Sequence, residues 1–419
     1  MLFKNISYLD LDSKQIVEDV DVLVKEKYIE KIGKDIDASK EEIISGENKL
    51  IVPGFANAHS HAGMSVFRNF ADDMELKPWL EEKIWPAEAK LTGEIVYWGS
   101  LLSMAEMIKS GVTSFCDMYF FMNDVAKAVQ ETGMKAFLTR GMMDIDPQDR
   151  IPEMISLFEE YNGCDDRIYV GPGPHAIYTC SKEFLLKMHD LALKMNGRIN
   201  IHVSETETEI NDSIKNNGTT PLKYLKEIGF LEGLKVIAPH CTHVTDEEIE
   251  IMKEYEIFPI YNPTSNLKLA SGFTPVKKLL KAGIITGIGT DGDSSNNNQN
   301  FMEEIHISAI INKAVEKDPK CVNAVDVLKM ATEYGQKALG FEDSGKIKVG
   351  YRADFSIFDL TSLNFTPKHN LISALCYSAS AGDITDTIVD GKFLMRDREL
   401  VTLDEEKIKF NVNKLSKIF

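Results

Sequence analysis

The stretch GFANAHSHAG (54–63) places His59 and His61 one residue apart at the end of an apolar run. In a strand, positions i and i+2 share a face, so the two imidazoles aim at one point. One strand can offer two ligands to a single cation in this way, although histidine pairs also occur on solvated strand edges. Further candidates close other apolar runs: His202 in HVSE, His240 in APHC and Asp291 in GTDG. Three or more imidazoles with a carboxylate suit Zn2+ or Fe2+, whereas Mg2+ and Ca2+ prefer all-oxygen shells. The pattern predicts a divalent metal of this class, Zn2+ or Fe2+.

A cation held in such a set lowers the pKa of its water to about 7. The chemistry then needs a base to take a proton from water and an acid to protonate a leaving group. Glu205, three residues past His202, and Asp291 are the acidic residues at the predicted site placed for both tasks. His240 is open to two readings. It is a fourth imidazole ligand, or it hydrogen-bonds the water, orienting the nucleophile and polarising the electrophile. The bland reading of Glu205 is a solvated member of the acidic run ETETE (205–209), and that of Asp291 is a turn aspartate before Gly292.

These residues need a scaffold that brings them together. Eight short β-branched runs occupy 50–61, 111–119, 135–143, 167–176, 198–205, 234–241, 257–266 and 284–292, with helix-like segments such as 91–110, 181–197 and 246–256 between most of them. Alternating β and α over roughly 250 residues predicts an α/β chain built on a (β/α)8 TIM-type barrel. A doubly wound sheet is the alternative, but no GxGxxG follows the first strand. The strand ends read His59/His61, Asp117, Arg140, His175, His202/Glu205, His240, Asn262/Ser265 and Asp291. In a barrel all eight meet at the C-terminal mouth, where active sites sit. Residues 1–53 and 345–419 carry separate β-rich runs, which predict a small β-sandwich domain composed from both chain termini, with 54–344 as the catalytic barrel.

Composition bounds the partners. The 47 basic against 65 acidic residues leave a net charge of −18. Nucleic acid and anionic membrane would be repelled, so a small-molecule substrate is expected. No window approaches about eighteen uninterrupted apolar residues, so no membrane span is expected. The opening MLFKNISYLDLDSKQ lacks the basic start and apolar core of a secretory signal. The six cysteines form no CxxC pair and read as free thiols in a reducing cytoplasm. Assembly into a homo-oligomer stays open.

Together, HSH, HVSE, HC followed by THVT, and GTDG resemble the amidohydrolase superfamily, a likeness that spans the whole chain and includes the β-domain segment GKIKVGYRADFSIFD. Within it the sequence is most similar to the 5-methylthioadenosine/S-adenosylhomocysteine deaminases. MELKPWLEEKIWPAEAKLT (74–92), GPGPHAIYTCS (171–181), YNPTSNLKLASGFTP (261–275) and GIGTDGDSSNNN (287–298) carry that likeness. The resemblance implies that His59, His61, His202 and Asp291 hold one divalent metal per chain, Zn2+ first and Fe2+ as the alternative, and that Glu205 shuttles a proton from water to the purine ring nitrogen. It implies that His240 contacts the attacking hydroxide and that Asp291 helps to activate it. Attack at C6 of adenine gives a tetrahedral intermediate, then ammonia and a hypoxanthine product.

By the same resemblance Glu88 accepts hydrogen bonds from ribose, Trp79 packs on the purine nucleoside, and His175 and Arg140 line the pocket. Their bland alternatives are a core aromatic, a solvated glutamate and a salt-bridged arginine. Two departures stand out. Ile177 replaces an expected proline beside His175, and Arg150 in DIDPQDRIPE (144–153) is the candidate second arginine for a homocysteine carboxylate. Methylthio, homocysteinyl and deoxy groups at C5′ all stay open.

Guanine or pterin deaminases and triazine hydrolases share this chemistry. Cyclic amide hydrolases use two metals bridged by a carboxylated lysine ending strand four, and RIYVGPGPHA contains no lysine. A non-catalytic scaffold is expected to have lost ligands, and the set is complete.

Overall fold

Two nine-stranded sheets organise the chain, one built from its ends and one from its middle. The computed structural model describes residues 1–37, 41–74, 78–144 and 150–419. The first strands are β1 (Leu2–Asp10), β2 (Gln15–Lys25), β3 (Tyr28–Gly33), β4 (Ile43–Ser45) and β5 (Lys49–Pro53). A parallel barrel follows: β6 (Phe55–His61), β7 (Val112–Tyr119), β8 (Lys135–Met142), β9 (Ile168–Pro174), β10 (Arg198–Asn200), β11 (Lys235–Pro239), β12 (Glu256–Tyr261), β13 (Gly287–Ile288) and β14 (Asp291–Gly292). The chain then returns through β15 (Phe355–Asp359), β16 (Ile384–Val389), β17 (Lys392–Arg396) and β18 (Glu399–Leu400) to the first sheet. That sheet runs β18-β17-β16-β15-β5-β1-β2-β3, with β4 beside β1.

The apolar run LIVP has a physical cause in this layout. β5 pairs antiparallel with β15, Ile51 opposite Ile357. Ile51, Phe355 and Ile357 join Phe3, Val22 and Ile29 in the β domain's own core. Leu50, Val52 and Phe358 point the other way, into the core shared with the barrel. A strand buried on both faces has no polar alternation to show.

The barrel order is β10-β11-β12-β13-β6-β7-β8-β9, with β14 also on β6. The eighth run, expected as one strand over 284–292, is split. Between its halves the Thr290 N–H donates to the Asn57 side-chain oxygen at 3.0 Å, so a side chain interrupts the ladder. The fifth run, expected over 198–205, ends as a regular strand at Asn200. Beyond it, isolated bridges Ala176–His202 and Val203–His240 draw β9, β10 and β11 together at the mouth. Ala56, Ala58, Cys116, Phe137, Phe258 and Ile260 fill the interior, and Leu339 and Phe341 pack beneath them.

Two joints tie the domains. Lys135, fully buried at the start of β8, lies 2.5 Å from Asp354 and 3.0 Å from Asp390 of the β domain. The helix Glu405–Leu415 falls within the stretch that sequence assigns to the β domain, yet it packs on the barrel helix Gly93–Lys109. Glu405 pairs with Lys109 and the Lys407 ammonium sits 5.6 Å from the Trp98 ring centre. Its register with that barrel helix is a tertiary match invisible in local sequence. Among the described residues, no helix is long and apolar enough to cross a membrane.

Candidate metal centre and active site

Three strand ends at the mouth leave β geometry through non-glycine residues in the left-handed region: Ser204 (φ 52°), His240 (φ 73°) and Asp291 (φ 63°). Each such residue costs on the order of 1–3 kcal/mol and persists only where its surroundings over-determine it. Here the surroundings are polar side chains that also aim the candidate ligands.

His61 donates through Nδ1 to the Met118 carbonyl at 2.5 Å, and His202 donates through Nδ1 to the His175 carbonyl at 2.8 Å. Both bonds turn Nε2 inward, the usual support for a metal-binding imidazole. Asp291 accepts at Oδ2 from Ser265 (2.6 Å) and Ser295 (3.1 Å). Its Oδ1 lies 3.3 Å from His59 Nε2 and 3.2 Å from His61 Nε2. Gly289 permits this closeness, because a Cβ there would stand 2.9 Å from His59 Cβ.

His59 itself is fully buried, and neither ring nitrogen has a hydrogen-bond partner. An orphaned buried polar group costs about 1–3 kcal/mol. The atoms around it suggest what satisfies it. One ligand atom from each of His59, His61 and Asp291 lies within 4.8 Å of the others, and the same holds for His59, His202 and His240. Two overlapping triads sharing one unsatisfied imidazole fit a divalent cation of the borderline-soft class.

Electrostatics agree with that fit at His59 and His202. Burial pushes the His59 imidazole down to about 3 and that of His175 down to about 4. It also takes His202 well below its ordinary value, so these rings are neutral, as metal ligation requires. His61 goes the other way. Burial opposes its charge, but the hydrogen bond and charge of Asp291 prevail and raise it to about 9. Burial also opposes the Asp291 charge, and the two imidazoles hold its carboxyl well below the usual range.

Glu205 is buried beside this cluster, with Oε2 3.8 Å from His240 Nε2, and Ser271 donates to its Oε1 at 3.3 Å. Burial raises its pKa, which suits a group that takes up and releases a proton. The His240 ring is fixed by Asn266 Oδ1, 2.8 Å from Nδ1. That contact makes Nδ1 the protonated nitrogen and turns Nε2 toward Glu205.

The cleft above is lined by Trp79, Glu88, His175, His202, Glu205, His240 and Asp291, among others. Trp79 begins a π-helical turn (Trp79–Ile84) and donates through Nε1 to Ala71 O at 2.9 Å, which leaves its ring face on the cleft wall. Glu88 accepts from the Tyr119 hydroxyl at 2.8 Å. His175 is steadied by Thr179 at 3.0 Å from Nδ1, and Ile177 is buried in the core beside it. Arg140 is not on the central cleft. It lines a side pocket with Arg150 and Glu153, and Trp85, Glu88, Phe120 and Met143 border both spaces. Arg140 Nε and Arg150 Nη1 meet the two oxygens of Glu153 at 2.9 and 2.6 Å. Residues 75–77 of the 74–92 stretch and 145–149 of DIDPQDRIPE lie outside the described residues.

Sequence reasoning missed Tyr119, Tyr178, Ser271 and Glu209. Tyr119 is the last residue of β7, so the strand-end rule would have reached it. Glu209 looked like a solvated member of ETETE, yet it is buried and accepts from the backbone N–H of Ser204 and Glu205. No signal in the linear pattern separates it from Glu207.

The amidohydrolase family matches residues 50–394. A 5-methylthioadenosine/S-adenosylhomocysteine deaminase of Thermoanaerobacter pseudethanolicus is 47% identical, over 100% of this chain and 98% of its own length. A 5′-deoxyadenosine deaminase of Methanocaldococcus jannaschii is 46% identical over 93% and 94%. Among solved structures, an adenosine deaminase from Xanthomonas campestris with bound zinc superposes with a TM-score of 0.95 at 32% identity. That match covers 100% of this chain and 98% of the other.

Proposed function

The chain belongs to the amidohydrolase family, and from that premise we propose that it hydrolytically deaminates the adenine ring of 5′-substituted adenosines, releasing ammonia and the inosine analogue. The observation that carries this reading is the doubly orphaned His59, shared by two ligand triads and facing the Glu205–His240 pair. A divalent metal held by His59, His61, His202 and Asp291, Zn2+ in this reading, supplies Lewis acidity and lowers the pKa of water.

The protein's own groups do the rest. Glu205 takes a proton from the attacking water and delivers it to the purine ring nitrogen, so C6 can become tetrahedral. His240, locked by Asn266, presents Nε2 to the attacking water and accepts a hydrogen bond from it, which orients the oxygen for attack. Asp291 offers Oδ1 as the second base, since Ser265 and Ser295 occupy Oδ2. The remaining proton reaches the amino group, which leaves as ammonia. Glu88 has Oε1 engaged by Tyr119 and Oε2 open for the ribose hydroxyls, while Trp79 and His175 bound the nucleoside.

The side pocket fits a C5′ substituent that extends past Met143 and Phe120. A homocysteine carboxylate there would share Arg140 and Arg150 with Glu153, and the smaller methylthio group of methylthioadenosine would reach the apolar border of Met143 and Phe120. A reducing cytoplasm suits the six free cysteines. The deciding measurement is loss of the adenine absorbance band with methylthioadenosine, S-adenosylhomocysteine, 5′-deoxyadenosine and adenosine, run beside guanine and a triazine. Turnover of the last two alone would overturn the nucleoside reading.

A further inference from the structure

The peptide joining Ser204 to Glu205 is gripped on both sides. Glu209 receives the Ser204 N–H at Oε1 (3.0 Å) and the Glu205 N–H at Oε2 (2.7 Å). From the opposite side the Thr242 hydroxyl lies 2.7 Å from Glu205 O and 3.0 Å from Ser204 O, sharing its one proton between them. The Thr242 N–H adds a bond to Ser204 O at 3.0 Å. Glu209 and Thr242 are both buried, and neither lines the cleft. Thr242 follows the β11 end that carries His240, and Glu209 lies in the first turn of the helix Glu207–Asn217, capped by Thr206.

What the grip holds is a strained turn. Ser204 has φ 52°, and its own hydroxyl is buried without a hydrogen-bond partner. Its side chain therefore does nothing to stabilise the left-handed conformation, and a serine there would relax to negative φ if left alone. Relaxation would rotate the Glu205 side chain away from His240 and Ser271. We infer that Glu209 is a positioning residue for the deamination: with Thr242 it locks the 204–205 turn that delivers Glu205 into the cleft. Two of the three glutamates in HVSETETE then divide the labour. Glu205 touches the reacting atoms, and Glu209 touches only the backbone that aims it.

This inference rests on the proton-shuttle reading of Glu205, and the experiment separates the two. Glu209→Gln keeps the size of the side chain but replaces one acceptor oxygen with an NH2 donor facing a backbone N–H. The expected result is a fall in kcat of about 10- to 100-fold, the range for losing a supporting contact of this kind, with KM and bound metal unchanged. Ser204→Gly, which removes the left-handed penalty at a position whose side chain bonds to nothing, should restore most of that kcat when combined with Glu209→Gln. In a Glu205→Gln background, Glu209→Gln should cost nothing further, because its route to the chemistry is already cut. The inference is overturned if Glu209→Gln has wild-type kcat, or if its loss of kcat follows loss of metal. It is equally overturned if glycine at 204 brings no recovery or if the two glutamate substitutions are additive. Full turnover by Glu205→Gln alone would instead overturn the shuttle reading, whatever Glu209→Gln does.

Discussion

Glu205 and His240 face each other across the floor of the cleft, Oε2 3.8 Å from Nε2, with no side chain bonded between them. The separation leaves room for a water oxygen to be touched by both. A glutamine at 205 preserves the shape and removes the titrating proton. Glu205→Gln is expected to lower kcat by at least about 10²- to 10⁴-fold, the usual worth of a positioned acid–base, while metal content stays at one per chain. A variant that turns over normally would remove Glu205 from the mechanism.

His59 makes the site dependent on its cation for more than chemistry. With neither ring nitrogen hydrogen-bonded inside the protein, stripping the metal leaves buried imidazoles and Asp291 facing one another. Chelation should abolish deamination and lower the melting temperature. Zn2+ at about a hundredfold over its Kd should return about 2.7 kcal/mol of stability. Calorimetry before and after chelation checks this, and an unchanged melting temperature would contradict it.

Glu88 should give nucleoside affinity a pH dependence. Burial pushes its carboxyl from the ordinary 4.5 up to about 7, against the pull of the Tyr119 hydroxyl and of His61. For a carboxyl raised in the folded state, the stabilising contribution is complete below 4.5 and is lost as pH rises through 7. Ribose recognition needs the opposite, ionised form. KM for methylthioadenosine should therefore fall as pH rises through about 7, and Glu88→Gln should raise KM and flatten its profile. A KM independent of pH in the wild-type protein would refute the assignment.

Arg150 should discriminate between substrates. It shares Glu153 with Arg140 in the side pocket. Charged hydrogen bonds contribute about 1.5–3 kcal/mol. Arg150→Met is thus expected to cut kcat/KM for S-adenosylhomocysteine by about 10- to 100-fold and to leave methylthioadenosine nearly untouched. Equal losses on both nucleosides would show that the side pocket does not read the carboxylate.

Lys135 gives a stability test remote from the chemistry. Its ammonium is fully buried between Asp354 and Asp390, joining the base of the barrel to the β domain. Lys135→Met leaves two buried carboxylates with less compensation and should cost about 3–5 kcal/mol in chemical denaturation. The kcat of the folded fraction should not change.

Much of the site is legible in the sequence, because barrel strands must start apolar and can end polar only at one mouth. HSH, HVSE and GTDG each carry a ligand type at such an end, and His59, His61, His202, His240 and Asp291 do converge. The lengths of the fifth and eighth strands were not legible. Asn57 and Thr290 interrupt the eighth by a side-chain bond between residues 233 apart in sequence, and no local periodicity encodes that. Strand position put Arg140 at the barrel mouth, but not which pocket its side chain enters: its guanidinium turns to Glu153 in the side pocket. A strand end sets where a Cα lies, and packing sets where a long side chain goes.

Sequence alone determined the barrel, the residues able to bind a metal and the class of chemistry, since strand periodicity and ligand type are local properties of the chain. Tertiary structure decided that Glu205 of ETETE faces His240 while Glu209 binds backbone N–H groups, which nitrogen of His61 and His202 turns inward, and that a side pocket holding Arg140 and Arg150 adjoins the cleft. Several of these depend on hydrogen-bond partners tens of residues away, such as Met118 for His61 and Thr242 for Glu205. Only folding brings those donors and acceptors within reach of each other.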